Sequence, residues 1–280
     1  MDRRTFIASA AAAAMVSRFS GAAAEHSIEK IGLELYTVRS ALQRDFEGTL
    51  SRVAKIGYKE VELAGYFEHM SNWNPAPEKA RQMLDADGLA APSTHVPYTA
   101  LSPKNWPKIV EASAVLGHRY IVNPSIDRNL VKTADGWKQA AETFNRAGAV
   151  SLKSGIQLGY HNHVEEFKAI DGKLPYDILL SEADPKLLKM EMDLGWAHEA
   201  GVDPLKYFAK YPGRFPLVHV KDFTKDRQMT DVGSGEIDWK RIFAKSDLAG
   251  IKHYFVEFDD PKSPFDSIQT SYTYLEKVRF

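Results

Sequence analysis

Eight short apolar runs, each followed by a stretch of helical spacing, constrain this chain more than any other feature. The runs are IGLELY (31–36), KEVELA (59–64), LAAPSTH (89–95), RYIVN (119–123), IQLGY (156–160), LLKMEMD (187–193), FPLVHV (215–220) and HYFVEF (253–258). Between them the apolar positions recur every three or four residues, as a helix with one buried face requires. Phe46, Leu50, Val53 and Ile56 form one such face, and Gly57 closes it. Trp137, Ala141, Phe144 and Leu152 line another. Asp203-Pro204 reads as an N-cap with proline at the first helical position, and Asp238 before Trp239 as another capped start.

Eight strand-then-helix units in one chain predict a single (β/α)8 barrel. The rival is an open doubly wound sheet, which usually carries a glycine-rich turn after its first strand. Here LYTVRSAL follows, with no such turn. The two long connections, AGYFEHMSNWNPAP and KDFTKDRQMTDVGSGEID, both follow strand C-terminal ends, where a barrel builds its active site.

The first 24 residues stand apart from this alternation. Arg3-Arg4 precede an alanine-rich run that ends in Ala22-Ala23-Ala24, the layout of a cleaved export signal. The paired arginines followed by Thr5, Phe6 and Ile7 resemble a twin-arginine signal. The expectation is therefore a signal peptide over 1–24, a barrel domain over 25–280, and a periplasmic or secreted protein. No later run has the ~20 apolar residues that a membrane span needs. Removing Asp2, Arg3, Arg4 and Arg18 moves the net charge from -1 to -3, since 33 basic residues then face 36 acidic ones. That is no footprint for nucleic acid. With no cysteine, disulfides, thiolate metal sites and cysteine nucleophiles are all excluded.

Polar residues crowd the strand ends. They are Glu34 and Tyr36, Glu62, His95, the group His161, His163 and Glu166 within GYHNHVEEF, Glu191 and Asp193, His219, Lys221 and Asp222, and Glu257. In a barrel these ends meet on one face. A carboxylate set inside an apolar strand, as Glu257 is in YFVEF, needs a cation or strong hydrogen bonds. One divalent metal meets that need for several carboxylates together, and mixed carboxylate and imidazole donors suit Mn, Co, Fe or Zn better than calcium.

YHNHVEEF (160–167), MDLGWAHEAGVDP (192–204), GRFPLVHVKD (213–222), DVGSGEIDW (231–239) and FVEFD (255–259) together resemble the xylose isomerase-like TIM-barrel superfamily. That group includes sugar isomerases, epimerases and inosose dehydratases. The resemblance covers roughly residues 28–278. It implies a divalent metal (Mn, Co, Mg or Zn) held by Glu166, Asp193, His219 and Glu257. On strand five the family's acidic position falls at Gly159 or Tyr160, so Glu166 supplies the ligand from the loop, or His161 or His163 replaces it. Trp196 stands three residues after Asp193 where many epimerases carry histidine, with His198 nearby. The superfamily's DNA-cleaving branch needs more histidines than these motifs supply.

The implied chemistry is proton removal beside the carbonyl of a keto-sugar, giving an enediolate. Glu166, Glu257, Lys221 and His163 are the catalytic candidates. Glu62, His95, His161, Trp196 and His198 are the substrate contacts, and Phe67 or Trp73 offers a face for a sugar ring. Reprotonation makes the enzyme an isomerase or epimerase, the leading expectation. Loss of a β-substituent, from a 3-keto-glycoside or an inosose-like ketone, makes it a lyase or dehydratase. A carbohydrate-binding protein without catalysis is the remaining class. The expected partner is a small carbohydrate.

Overall fold

The computed structural model describes residues 25–64 and 75–280. The signal-peptide expectation over 1–24 and the proposed stacking residues Phe67 and Trp73 fall outside the described residues. Eight strands close a parallel barrel: β1 (Ile31–Glu34), β2 (Glu60–Leu63), β3 (Ala90–His95), β4 (Tyr120–Asn123), β5 (Gln157–His161), β6 (Leu188–Asp193), β7 (Leu217–Val220) and β8 (His253–Val256). Each pairs with its sequence neighbours, and β1 closes the ring against β8. The single (β/α)8 barrel read from the alternation is the fold found.

The strands are short and buried on both faces, so most of their outward residues are apolar and pack under the helices. Inward residues alternate with them. The registers Glu34↔Glu62, His161↔Glu191, Asp193↔His219 and His219↔Phe255 place equivalent residues of adjacent strands on the same, inner face. Inside, Tyr120, Val122, Leu217 and Phe255 form a small apolar plug, separate from the main core between strands and helices. Two inward glycines make room for it. A Cβ on Gly32 would lie 2.5 Å from Cδ1 of Phe255, and one on Gly159 would lie 2.9 Å from Cγ2 of Val122. Above the plug, the inward positions of most strands toward the C-terminal mouth are polar, β4 with Val122 and Pro124 being the exception.

Helix starts follow the expected caps. Asp203 accepts from the Leu205 N–H at 3.1 Å with Pro204 opening the helix, and Asp238 accepts from the Arg241 N–H at 3.0 Å. The helix Phe46–Ile56 ends where Gly57 takes φ 128°. Two boundaries differ from the sequence reading. Leu152 begins a 3-10 turn after the helix Ala134–Ser151 and faces solvent. β1 stops at Glu34, because its carboxylate accepts from the Tyr36 N–H at 3.1 Å and winds the chain into a turn.

Candidate active site

Strand parity gathers the polar residues at the mouth. On β7 and its extension His219 points inward, Val220 outward and Lys221 inward again. β6 does the same with Glu191 and Asp193, while Glu257 extends the inward side of β8. Glu34, Glu62, Glu191, Asp193 and His219 are fully buried there, and His95, His161, Lys221 and Glu257 nearly so.

His219 is the centre. Its Nε2 lies 2.7 Å from Oε2 of Glu62 and 3.3 Å from Oε2 of Glu191, and its Nδ1 lies 2.9 Å from Oε2 of Glu257. Oε2 of Glu191 is also 2.7 Å from Nε2 of His95 and 3.3 Å from Nδ1 of His161. The Ser93 hydroxyl donates to Glu62. Lys221 Nζ sits 2.8 Å from Oε2 of Glu257, 2.9 Å from Oδ1 of Asp259 and 3.1 Å from Oδ2 of Asp193. Asp193 has a second task. Its Oδ1 accepts from the Trp196 N–H at 2.7 Å and caps the helix Leu194–Glu199.

Protonation follows this crowding. Burial pushes the His219 imidazole down, but the Glu191 and Glu257 carboxylates outweigh it and hold the ring well above its usual range. His95 is raised against its own burial by Glu62 and Glu191. His161 is driven well down by burial and by the positive charge on His219. Glu34 is raised well up by burial and by the Glu62 charge. Burial lifts Asp193 to about 6 although Lys221 and His219 pull it down. Lys221 is raised above the ordinary lysine value, because Asp193, Glu257 and Asp259 overcome its burial. It therefore stays cationic.

Among the described residues, five buried carboxylates thus share one lysine and three imidazoles. Several of their atoms have no hydrogen bond: Oε2 of Glu34, Oε1 of Glu191, Oδ2 of Asp193 and Nδ1 of His161. Buried polar atoms are normally satisfied, so such a group marks a place for something else. Three sets of donor atoms lie within 4.8 Å of one another: Asp193, His219 and Glu257; His95, His161, Glu191 and His219; and Glu34, Glu62, His95 and His219. The donor set of carboxylates and imidazoles fits a divalent transition metal.

The sequence-derived candidates divide. Asp193, His219 and Glu257 come together as one set, with Lys221, Glu62, His95 and His161 around them. Glu166, expected as the strand-five ligand unless His161 or His163 replaces it, joins none of these sets among the described residues. Its Oε1 accepts from the Tyr160 hydroxyl at 2.7 Å and its Oε2 from the His163 N–H at 2.7 Å. The 3-10 turn Glu165–Phe167 folds this carboxylate back against β5, and strand five presents His161 to the mouth instead. His163 lies at the edge of the cluster, its ring centroid 4.9 Å from that of His161 and 6.1 Å from that of Trp196. Trp196 also packs against Lys221, whose Nζ is 4.7 Å from the ring centroid. His198 turns away to meet Glu236 at 3.1 Å, half-exposed, and does not reach the mouth. Asn162 binds the Asp193 backbone, donating to its carbonyl and accepting from its N–H at 3.1 Å. Asp222 points outward, where it accepts from the N–H groups of Phe223, Gly233 and Gly235 and from the Trp239 indole, so GSG wraps a carboxylate.

Glu34, Glu191 and Asp259 received no role from sequence. The signal for Glu191 was present, since it stands two residues before Asp193 on one strand and so shares its face.

The sequence pattern of the family described as xylose isomerase-like TIM barrel matches residues 50–277. Among curated proteins, the inosose dehydratase of Geobacillus thermodenitrificans is 28% identical over 151 residues, 48% of this chain and 50% of that protein. The chain thus spans about half the length of such relatives at that identity. The alignment with the inosose dehydratase of Lactiplantibacillus plantarum is longer, at 23% identity over 81% of this chain and 87% of that protein. A solved structure of a sugar phosphate isomerase/epimerase from Parabacteroides distasonis superposes with TM-score 0.77 at 31% identity, covering 90% of this chain and 94% of that one.

Proposed function

The chain belongs to the xylose isomerase-like TIM-barrel family, and we propose that it is a divalent-metal-dependent enzyme that removes a proton beside the carbonyl of a sugar-like ketone. The observation that carries the proposal is the buried set Asp193, His219 and Glu257, whose donor atoms lie within 4.8 Å of one another beside a cationic lysine 3.1 Å from Oδ2 of Asp193. Those three residues, with His161 as the fourth donor, would hold the metal. A metal held there supplies Lewis acidity toward a carbonyl oxygen and an adjacent hydroxyl.

The remaining work falls to the chain. Lys221 faces the same space and offsets the negative charge that develops on the ketone oxygen. His163 takes the proton. Its ring makes no hydrogen bond among the described residues, and Glu166 fixes its backbone N–H. Trp196, beside both His163 and Lys221, offers an apolar face to a sugar ring. Glu62 and Glu191 orient His219 and His95.

Two outcomes share this first step. Reprotonation gives an isomer or epimer, and loss of a β-substituent gives a lyase or dehydratase. The curated relatives are inosose dehydratases, which favours elimination. Export by the twin-arginine route belongs to the same proposal and rests on Arg3-Arg4 and Ala22-Ala23-Ala24. Periplasmic protein beginning at Glu25 would support it, and full-length protein confined to the cytoplasm would remove it. The chemistry is tested by NMR in deuterated water, with inososes, ketoses and 3-keto-glycosides, in the presence of metal or chelator. Chelator-sensitive deuterium uptake beside the carbonyl is expected. Its absence across the panel removes the enolisation reading.

A further inference from the structure

A cavity of about 460 Å³ opens next to the metal-ligand cluster, between the connection after β4 and the connection after β5. Its volume falls in the ~300–1,000 Å³ range of small-molecule sites. Ile126, Val131, Trp137 and Ile170 give it an apolar lining. Arg128, Lys132 and Lys168 line it too, exposed enough to form a cationic rim that Glu165 only partly neutralises, at 3.2 Å from Arg128 and 3.6 Å from Lys168. Trp137 is buried, yet its indole Nε1 has no hydrogen-bond acceptor. Buried indole N–H groups usually find one.

His163 belongs to both places. It lines the cavity, and its ring also touches His161 and Trp196 at the mouth. A ligand passing over His163 would have one part at Asp193, His219 and Glu257 and another in the cavity. A bare polyol ring would set its hydroxyls against the isoleucines and the valine, where they lose hydrogen bonds to water. A flat aromatic group carrying an oxygen fits the lining, the cationic rim and an indole donor in need of an acceptor.

We infer that this cavity is a second subsite, which takes an aromatic aglycone attached to the sugar-like part held at the metal-ligand cluster. The inference rests on the sugar-ketone reading above and narrows it to two-part substrates, keto-glycosides of phenols, for which plain glycosides serve as unreactive binding probes. Ile126, Val131 and Ile170 then decide specificity without touching the reacting atoms.

The test compares phenyl β-D-glucopyranoside with methyl β-D-glucopyranoside, by calorimetry and saturation-transfer NMR on the metal-loaded full chain. The phenyl glycoside should bind at least about tenfold more tightly, equivalent to about 1.4 kcal/mol, with the strongest saturation on its ring protons. Ile170→Trp and Val131→Phe fill the cavity. Each should bring the two affinities to within about twofold and leave methyl glycoside binding unchanged. Equal affinities in the unaltered protein, no phenyl glycoside binding at millimolar concentration, or a preference that survives both substitutions would overturn the subsite. Where one variant fails to fold by circular dichroism, the other decides, and where both fail, the unaltered protein's ratio decides. Chelator-sensitive deuterium uptake, followed on the same preparations, separates the two readings. A phenyl preference without uptake retires the enolisation chemistry and leaves the subsite, and uptake without the preference does the reverse.

Discussion

Replacing Lys221 by methionine keeps an unbranched side chain one atom shorter and removes the charge with its three N–H donors. In the native protein Nζ is buried between Glu257, Asp259 and Asp193 at 2.8, 2.9 and 3.1 Å. Without it, these carboxylates lose their fixed cation. Breaking a buried ion pair from one side costs about 3–5 kcal/mol, because the remaining charge stays desolvated. For a chain of this size each kcal/mol moves the midpoint by about 2–4 °C, so metal-free Lys221→Met should melt about 6–20 °C lower. A divalent cation at Asp193, His219 and Glu257 returns positive charge to the same carboxylates. At a hundredfold excess over its Kd, bound metal stabilises any protein by about 2.7 kcal/mol, and the variant should gain more than the native protein because its affinity is higher. Deuterium uptake should still fall about 10²–10³-fold, as the ketone oxygen loses its cationic neighbour. Thermal melts with chelator and with Mn, beside the NMR exchange assay, measure all three. A metal-free midpoint within 2 °C of the native protein, or a smaller metal-induced rise in the variant, would refute the reasoning.

Glu166→Gln should cost about 1–3 kcal/mol, since the Tyr160 hydroxyl and the His163 N–H donate to different oxygens and the amide keeps only one of them. Its metal affinity should stay within about twofold by calorimetric titration, and a larger fall would return Glu166 to the ligand set. His219 is held well above the usual imidazole range, so metal must displace its proton. Apparent metal affinity should therefore weaken as pH falls from 8 to 6, and calorimetric heats should vary with the buffer's ionisation enthalpy; buffer-independent heats would remove His219 as a ligand. Burial, helped by Arg81, lowers His118 to about 3 from 6.5. Below 6.5 the unfolded chain takes a proton that the native state refuses, so stability is full above that pH and is lost toward 3, by up to about 1.4 kcal/mol per unit. Urea melts at pH 7 and 5 should differ by about 2 kcal/mol on this account, and His118→Gln should flatten the slope; an unchanged slope would place the loss in other groups.

The barrel was legible because parallel strands are buried on both faces and therefore break with turn and helix patterns at regular intervals. Most of the mouth was legible for a related reason: period two puts both polar residues of HVK, and both of EMD, on one face. What failed lies where the chain leaves the strands. Glu166 stands five residues past His161, beyond a turn whose direction no local pattern specifies. His198 sits on the short helix that Asp193 caps, and the helix carries it outward to Glu236. Asp222 follows an inward lysine, so parity sends it outward, where five donors of the DVGSGEIDW loop and its flank meet its carboxylate. Glu191 is legible as an inward strand-end residue, but the family resemblance centres on Asp193 and gives Glu191 no role.

The two ends of the barrel make the functional reading hard to replace with a structural one. At the N-terminal end Glu60 is also buried, but its Oε2 meets Nδ1 of His253 at 2.7 Å and its Oε1 lies 3.9 Å from Lys30. One carboxylate there has one imidazole and one lysine, and the account closes. At the C-terminal end, among the described residues, five carboxylates share one lysine and three imidazoles, and four of the buried donor and acceptor atoms are left without a hydrogen bond. Both ends belong to the same sheet and meet the same plug of Tyr120, Val122, Leu217 and Phe255. A barrel does not need buried polar atoms without hydrogen bonds to close, as its own lower end demonstrates. Departures from local stability rules that gather at one place mark a site where function sets the residues. In this architecture catalysis is built at that end of the strands. The surplus of negative charge at the mouth is therefore the most informative quantity in the molecule, and a bound divalent cation is the simplest means of balancing it.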